Sequence, residues 1–147
     1  MSVTISGSDN LVLQVVNATY GTLVANSTTT YADTGLTATI TPKFSTSKIL
    51  VLVNHAGSRK SDGNVSNGLM LKLLRGSTDL IFFELEGGWN NTNAIQNFGS
   101  CSTSYLDSPA TTSATTYKTQ FANQVSASNV RVQAGGTSTI TLLEIAG

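Results

Sequence analysis

The sequence predicts an all-β protein, an antiparallel β-sandwich of about nine or ten short strands. Three observations predict it. Apolar residues recur at every second position in segment after segment, and those segments are rich in β-branched side chains. Clusters of Gly, Asn, Asp, Ser and Pro separate the segments at even intervals, as in sandwiches and jelly rolls and unlike βαβ folds. Apolar positions at helical spacing are nearly absent.

The elements follow in order. In residues 12–20 (VLQVVNATY), Val12, Val16, Ala18 and Tyr20 share one face. Residues 26–35 are a polar stretch with one aromatic, Tyr31. Residues 36–41 (LTATIT) set Leu36, Ala38 and Ile40 against three threonines, and Pro42 opens a turn. Residues 48–56 (KILVLVNHA) make the strongest strand, followed by a loop over 57–68 with Asp62-Gly63 at its tip. Strands are then expected at 69–75, 80–86, 97–107, 116–123, 130–134 and 138–146, with Gly135-Gly136 turning the last hairpin. No internal repeat and no linker is visible. The chain divides into an N-terminal arm, 1–11, and one domain, 12–147; the small, polar arm needs a partner to become ordered.

Composition narrows the function. The chain has 147 residues, with eight basic and eight acidic side chains. Only 11% of residues are charged, against about 25% in an ordinary soluble domain. No basic excess exists to neutralise a phosphate backbone, so nucleic acid is not an expected partner. Eighteen serines and twenty-two threonines supply the polar surface instead. The single Cys101 makes neither an intramolecular disulfide nor a zinc site. No signal peptide and no membrane span is legible, so synthesis in a cytoplasm is expected.

Several strands are apolar on both faces. Ile49, Val51 and Val53 oppose Leu50 and Leu52; Leu69, Leu71 and Leu73 oppose Met70 and Leu74; Ile81, Phe83 and Leu85 oppose Leu80 and Phe82. A monomer would expose the second set as a large apolar patch. Burying such a side chain stabilises by roughly 1.5–3 kcal/mol before the costs of association. A homo-oligomer with Leu50, Leu52, Met70, Leu74, Leu80 and Phe82 at its interface is therefore expected. Phe82 offers the largest area, and on this reading Phe82→Asp separates the subunits whereas Lys118→Asp leaves them together.

Catalytic chemistry finds little footing. The lone His55 shares the parity of Val51 and Val53, as a structural hydrogen-bonder does. No nucleophile elbow, phosphate loop or metal-ligand cluster is present, and no cofactor is implied. Glu84 and Glu86 are two apart on one strand, whereas glycosidase carboxylates face each other across a cleft. Arg59-Lys60 reads as a solvated loop pair. In the loop GGWNNTN (87–93), Trp89 can stack on a sugar face while Asn90 and Asn91 bond its hydroxyls. A Trp folded back onto the core is the commoner arrangement.

Two long segments carry a resemblance: TYADTGLTATITPKFSTSKILVLVN (30–54) and SYLDSPATTSATTYKTQF (104–121). With the opening TISGS (4–8) and the close TSTITLLEIAG (137–147), they resemble virion proteins of tailed bacteriophages, above all of cyanobacterial and marine phages. The similarity runs from about residue 12 to the end. It implies a jelly roll of tumour-necrosis-factor-like shape, assembled as a three-fold homotrimer. Such domains occur at tail-fibre tips and as free-standing small virion proteins. The shared motifs are turns and core strands, so no functional residue is carried over.

The expected function is a virion structural protein: a trimeric capsid decoration or cement protein on the outside of the particle. Its partners would be its own copies and the major capsid protein or tail components, with the arm reaching across capsid subunits. No shaft or coiled coil is visible, which favours this role over the alternative, a receptor-binding tail-fibre tip that reads host surface glycans. An enzyme acting on surface polysaccharide is disfavoured by the poorly arranged carboxylates.

Overall fold

The computed structural model describes residues 11–147. The proposed arm therefore lies, but for Leu11, outside the described residues. Ten strands run in chain order: β1 (Val12–Tyr20), β2 (Val24–Asn26), β3 (Ala32–Ile40), β4 (Lys48–Lys60), β5 (Leu69–Arg75), β6 (Thr78–Gly87), β7 (Gln96–Asp107), β8 (Thr115–Asn123), β9 (Val130–Val132) and β10 (Ser138–Ile145). No helix occurs among the described residues. The strands form two antiparallel sheets packed face to face, as the alternation predicts. One has the order β1-β10-β4-β9-β2, with β7 on the free side of β4; the other has the order β3-β8-β5-β6.

Register explains the layering. Successive side chains of a strand point to opposite faces, so in-register neighbours build rows across a sheet. Inward rows from both sheets meet in one core cluster: Leu36, Ala38 and Ile40 of β3, Ile49, Val51 and Val53 of β4, Leu73, Tyr117, Ile140 and Leu142. A second cluster joins Leu69, Leu71, Cys101, Phe121, Val130 and Val132. Phe83 packs against both and ties them together.

Two elements run further than the sequence pattern indicates. β3 begins at Ala32, within the stretch read as polar, because its register against β8 breaks between Asp33 and Thr37. Gly35 sits in that break at φ 87°, where a Cβ would overlap the Tyr20 ring. β4 continues to Lys60 through register shifts between His55 and Arg59. Gly57 takes φ 59° there, and a Cβ on it would strike the Ala134 backbone.

β6 departs most from strict alternation. Its pairing with β5 runs Leu71↔Glu84, Lys72↔Phe82, Leu73↔Ile81 and Leu74↔Asp79, which skips Phe83 and Leu80. Each skipped residue is a bulge that turns the following side chains. Leu80, Ile81 and Phe83 consequently all pack against the core. The expected opposition of Leu80 to Ile81 is corrected by this bulge. Leu74, expected on an outward interface, is buried within the subunit at 3% exposure.

A polar latch crosses the sandwich near the end of β7. The Tyr117 hydroxyl donates to Asp107 Oδ2 at 2.6 Å, and Arg75 Nη1 reaches the same carboxylate at 2.8 and 2.9 Å. Burial first, then the Asp107 carboxylate, raise the Tyr117 pKa far above its ordinary value. Removing Asp107 leaves a buried hydroxyl and a guanidinium without their acceptor. Asp107→Ala is expected to lower the unfolding free energy by about 3 kcal/mol, the lower end for a broken buried pair because Arg75 keeps partial exposure. Tyr117→Phe is expected to lose about half as much, since Arg75 keeps its partner; urea unfolding of both variants checks the ranking.

Candidate functional site

The sandwich has two outer faces, and their chemistry differs. On the six-stranded sheet, Val15 of β1 pairs with Leu143 of β10, Leu143 with Leu50 of β4, and Leu50 with Leu106 of β7. This apolar row is four strands wide. The next row reads Asn17, Thr141, Leu52, Ser104, and the one after it Thr19, Thr139, Asn54, Ser102. None of these twelve positions carries a charge. Val15, Leu52 and Leu106 are 58%, 41% and 53% exposed. An open groove of about 610 Å³ runs between Leu52, Asn54, Ser102, Ser104, Thr139 and Thr141.

The outer face of the four-stranded sheet is charged. Lys72 bridges to Asp79 at 2.9 Å, and Lys118 bridges to Asp33 at 2.9 Å. The Lys72 ammonium also lies 4.4 Å from the Tyr31 ring centre, and Tyr31 meets Phe82 edge-on at 6.0 Å.

The six residues expected at one interface are thus divided. Leu50 and Leu52 sit in the uncharged rows of the six-stranded sheet. Met70 and Phe82 belong to the opposite sheet, Phe82 on its charged face beside Lys72. Leu74 is buried inside the subunit, and Leu80, partly buried, packs against its core. No single planar contact takes all six. Val15, Leu106 and Leu143 complete the Leu50 row, and only strand register reveals that they are neighbours.

Register also defines two poles. Val12, Ile145 and Lys48 are partners in adjacent strands, and the Ala146 amide donates to Leu11 O, so both described chain ends meet at one pole. At the other end of β4, Lys60 reaches the loops 61–68 and 88–95. Its ammonium is fully buried and donates to Thr92 O at 2.7 Å and Val65 O at 3.5 Å. Lys60 therefore fastens two loops together, which corrects its reading as a solvated residue.

Trp89, Asn90 and Asn91 lie on that fastened loop. Trp89 is 50% exposed and does not cap the core. Asn90 is committed within the loop, donating to Gln96 Oε1 at 2.7 Å and accepting from Thr92. Asn91 is exposed at φ 54°. The indole and the Asn91 amide are thus available to a ligand, while the Asn90 amide is not.

His55 is fully buried between the sheets. Its Nε2 meets Thr119 Oγ1 at 2.8 Å, Nδ1 lies 3.3 Å from both Gln133 Nε2 and Ser138 Oγ, and Phe83 stacks on the ring at 6.3 Å. Both ring nitrogens are occupied in a place no substrate reaches, so the Ser138–His55 contact is a packing network. Cys101 is buried, with its thiol pushed up to about 11 by burial foremost. Glu84 lies 3.7 Å from that thiol, and the exposed Glu86 accepts from Gln124 Nε2 at 3.5 Å, so the two carboxylates do not face each other across a cleft. No group of three metal-ligating side chains occurs among the described residues.

Burial lowers the His55 pKa to about 4 from an ordinary 6.5. The unfolded chain then binds a proton that the folded chain refuses between those two values. Stability from this group is complete above about pH 6.5 and falls as pH drops towards 4, by about 3 kcal/mol in total. His55→Gln is expected to remove that component. Urea unfolding at pH 7 and pH 4.5 checks it: the wild type should lose more stability than the variant over this window.

Comparison with known protein families and with curated proteins returns no family model and no protein that matches this chain.

Proposed function

We propose that the chain is a structural protein of a virus particle, a homotrimer that decorates the outside of a bacteriophage capsid. The observation that carries this reading is the block of three uncharged rows on the outer face of the six-stranded sheet. Three rows of side chains without a charge, one of them wholly apolar, suit contact with identical copies better than contact with water. The number three comes from the resemblance to phage virion proteins.

The strand orders support a jelly roll. The sheets β1-β10-β4-β7 and β3-β8-β5-β6 pair early strands with late ones, as two nested Greek keys do. Short β2 and β9 extend one sheet beyond the eight principal strands. The two poles support a surface position. Leu11 and Val12 lie at one pole, which would face the shell, while the Trp89 loop occupies the other and would face outward.

A second reading, a glycan-binding fibre tip, is favoured by the exposed Trp89 ring on a loop already fastened by Lys60. Immunogold labelling of intact particles separates the two: label over the capsid is expected, label confined to the tail supports the fibre tip, and absence from purified particles overturns both.

Assembly has its own test. Leu50→Asp places a carboxylate in the apolar row, where a dry contact strands it. Sedimentation of the wild type should give trimers at micromolar concentration, and Leu50→Asp should give monomers. Phe82→Asp should leave trimers intact, because its face already holds Lys72 and Asp79. This reverses the expectation drawn from strand alternation. A monomeric wild type ends the trimer reading; dissociation by Phe82→Asp but not Leu50→Asp moves the contact to the opposite sheet.

A further inference from the structure

Of the eight basic side chains, Lys72, Arg75 and Lys118 have carboxylate partners among the described residues. Lys43 and Lys60 donate to backbone carbonyls, and Lys48 is exposed at the start of β4. The two remaining cations, Arg59 and Arg131, are set directly opposite each other where β4 pairs with β9.

Both project from the outer face of the six-stranded sheet. Val130 and Val132, on either side of Arg131, point into the core, and so do Ser58 and Lys60 on either side of Arg59. Asn97 of β7 flanks Arg59, and Ala25 of β2 flanks Arg131. Directly opposed residues of antiparallel strands have Cβ atoms about 4.5–5.5 Å apart, and like charges there destabilise the sheet. No acid lies within ion-pair distance of either guanidinium among the described residues; Asp62, the nearest in sequence, pairs with neither.

The two guanidiniums are held differently. Arg131 Nε donates to Asn129 Oδ1 at 2.8 Å, and Ser61 Oγ steadies the same oxygen at 2.7 Å. Arg131 is thus oriented by a side chain that leaves its terminal nitrogens unused. Arg59 Nε is buried and donates to no group. A buried donor without an acceptor and an uncompensated pair of like charges are both relieved by one thing, an anion bridging the two forks.

We propose that Arg59 and Arg131 form an oxyanion-binding site for a tetrahedral phosphate or sulfate group. Two guanidinium forks match the several oxygens of such a group better than a single halide. The group can belong to a free ion or to a sulfated polymer, and the chemistry of the contact is the same. The site is complete in one subunit and does not depend on trimer formation.

The test is thermal unfolding of the full chain at constant ionic strength, exchanging sodium chloride for sodium phosphate or sodium sulfate. The wild type should melt about 3–5 °C higher when phosphate exceeds its dissociation constant about tenfold. Arg59→Gln and Arg131→Gln should lose that rise, and in chloride alone neither should melt below the wild type, since each relieves the repulsion. Arginine Nε–H resonances of the wild type, followed by NMR during phosphate addition, keep the proposal testable if a variant misfolds: the Arg59 and Arg131 signals should move together and saturably. An equal rise in the variants, or shifts confined to other basic residues, would overturn it. Dextran sulfate set against uncharged dextran distinguishes a polymer-borne group from the free ion; failure of all three anions to act on the wild type also overturns the site. Sedimentation of the same samples keeps the result separate from assembly, because a monomer that binds phosphate leaves the site standing.

Discussion

Strand β4 is the constraint on which the rest of the structure depends. It is thirteen residues long and is paired along both edges, with β7 on one side and β10 followed by β9 on the other. Its inward side chains, Ile49, Val51, Val53 and His55, supply the floor of the core. Its outward side chains Leu50, Leu52 and Asn54 run through the three uncharged rows. The change of neighbour from β10 to β9 is made at Ala56-Gly57, where Gln133 N donates to Ala56 O and Ala134 N to Gly57 O. The close approach of the Ala134 backbone requires glycine at 57. The bulge also reverses parity. Continued strict alternation would send Arg59 inward and Lys60 out to solvent. Instead Lys60 is inside, fastening two loops, and Arg59 stands outside opposite Arg131.

That reversal marks the limit of what alternation makes legible. Strands with one apolar residue in two, such as β3, are readable because the alternate faces differ in chemistry. Leu36, Ala38 and Ile40 were expected to share a face, and they share the core. Segments apolar at every position carry no such contrast. In β6 the run Leu80-Ile81-Phe82-Phe83 permits several registers, and two bulges select the one that places three of the four against the core. The candidate surface was half legible for the same reason. Leu50 and Leu52 follow from parity within one strand, but Val15, Leu106 and Leu143 become their neighbours only through long-range pairing. Arg59 and Arg131 are 72 positions apart, and nothing local announces their opposition.

A chain with so few charges makes the placement of each one informative. The four-stranded sheet carries two matched pairs on its outer face, Lys72 with Asp79 and Lys118 with Asp33, and exposed pairs of this kind contribute little to stability. They make that face costly to dry, and so keep it towards water. Asp107 and Glu144 lie inside and are satisfied by hydrogen bonds. Against the effect of its burial, Gln14 and the backbone amides of Lys43 and Phe44 hold the Glu144 carboxyl below the usual carboxylate range. Among the cations of the described residues, Arg59 and Arg131 alone face each other as like charges across paired strands.

The outer face of the six-stranded sheet then grades from one pole to the other: an apolar row, two rows of hydroxyls and amides with Leu52 among them, and a basic row. Each band asks something different of a neighbouring copy. The apolar row supplies affinity by leaving water, whereas the middle rows tolerate trapped water and fix little. The basic row opposes close approach of like copies unless an anion lies between them. Three copies packed through this face would close tightly at the pole where the described chain ends meet and be held apart at the Trp89 pole. An oxyanion at Arg59 and Arg131 would remove that opposition. On the proposed assembly, the anion site and the contact surface would be separate in their contacts, and the charge between copies would fall at the end of the molecule that carries the exposed Trp89 loop.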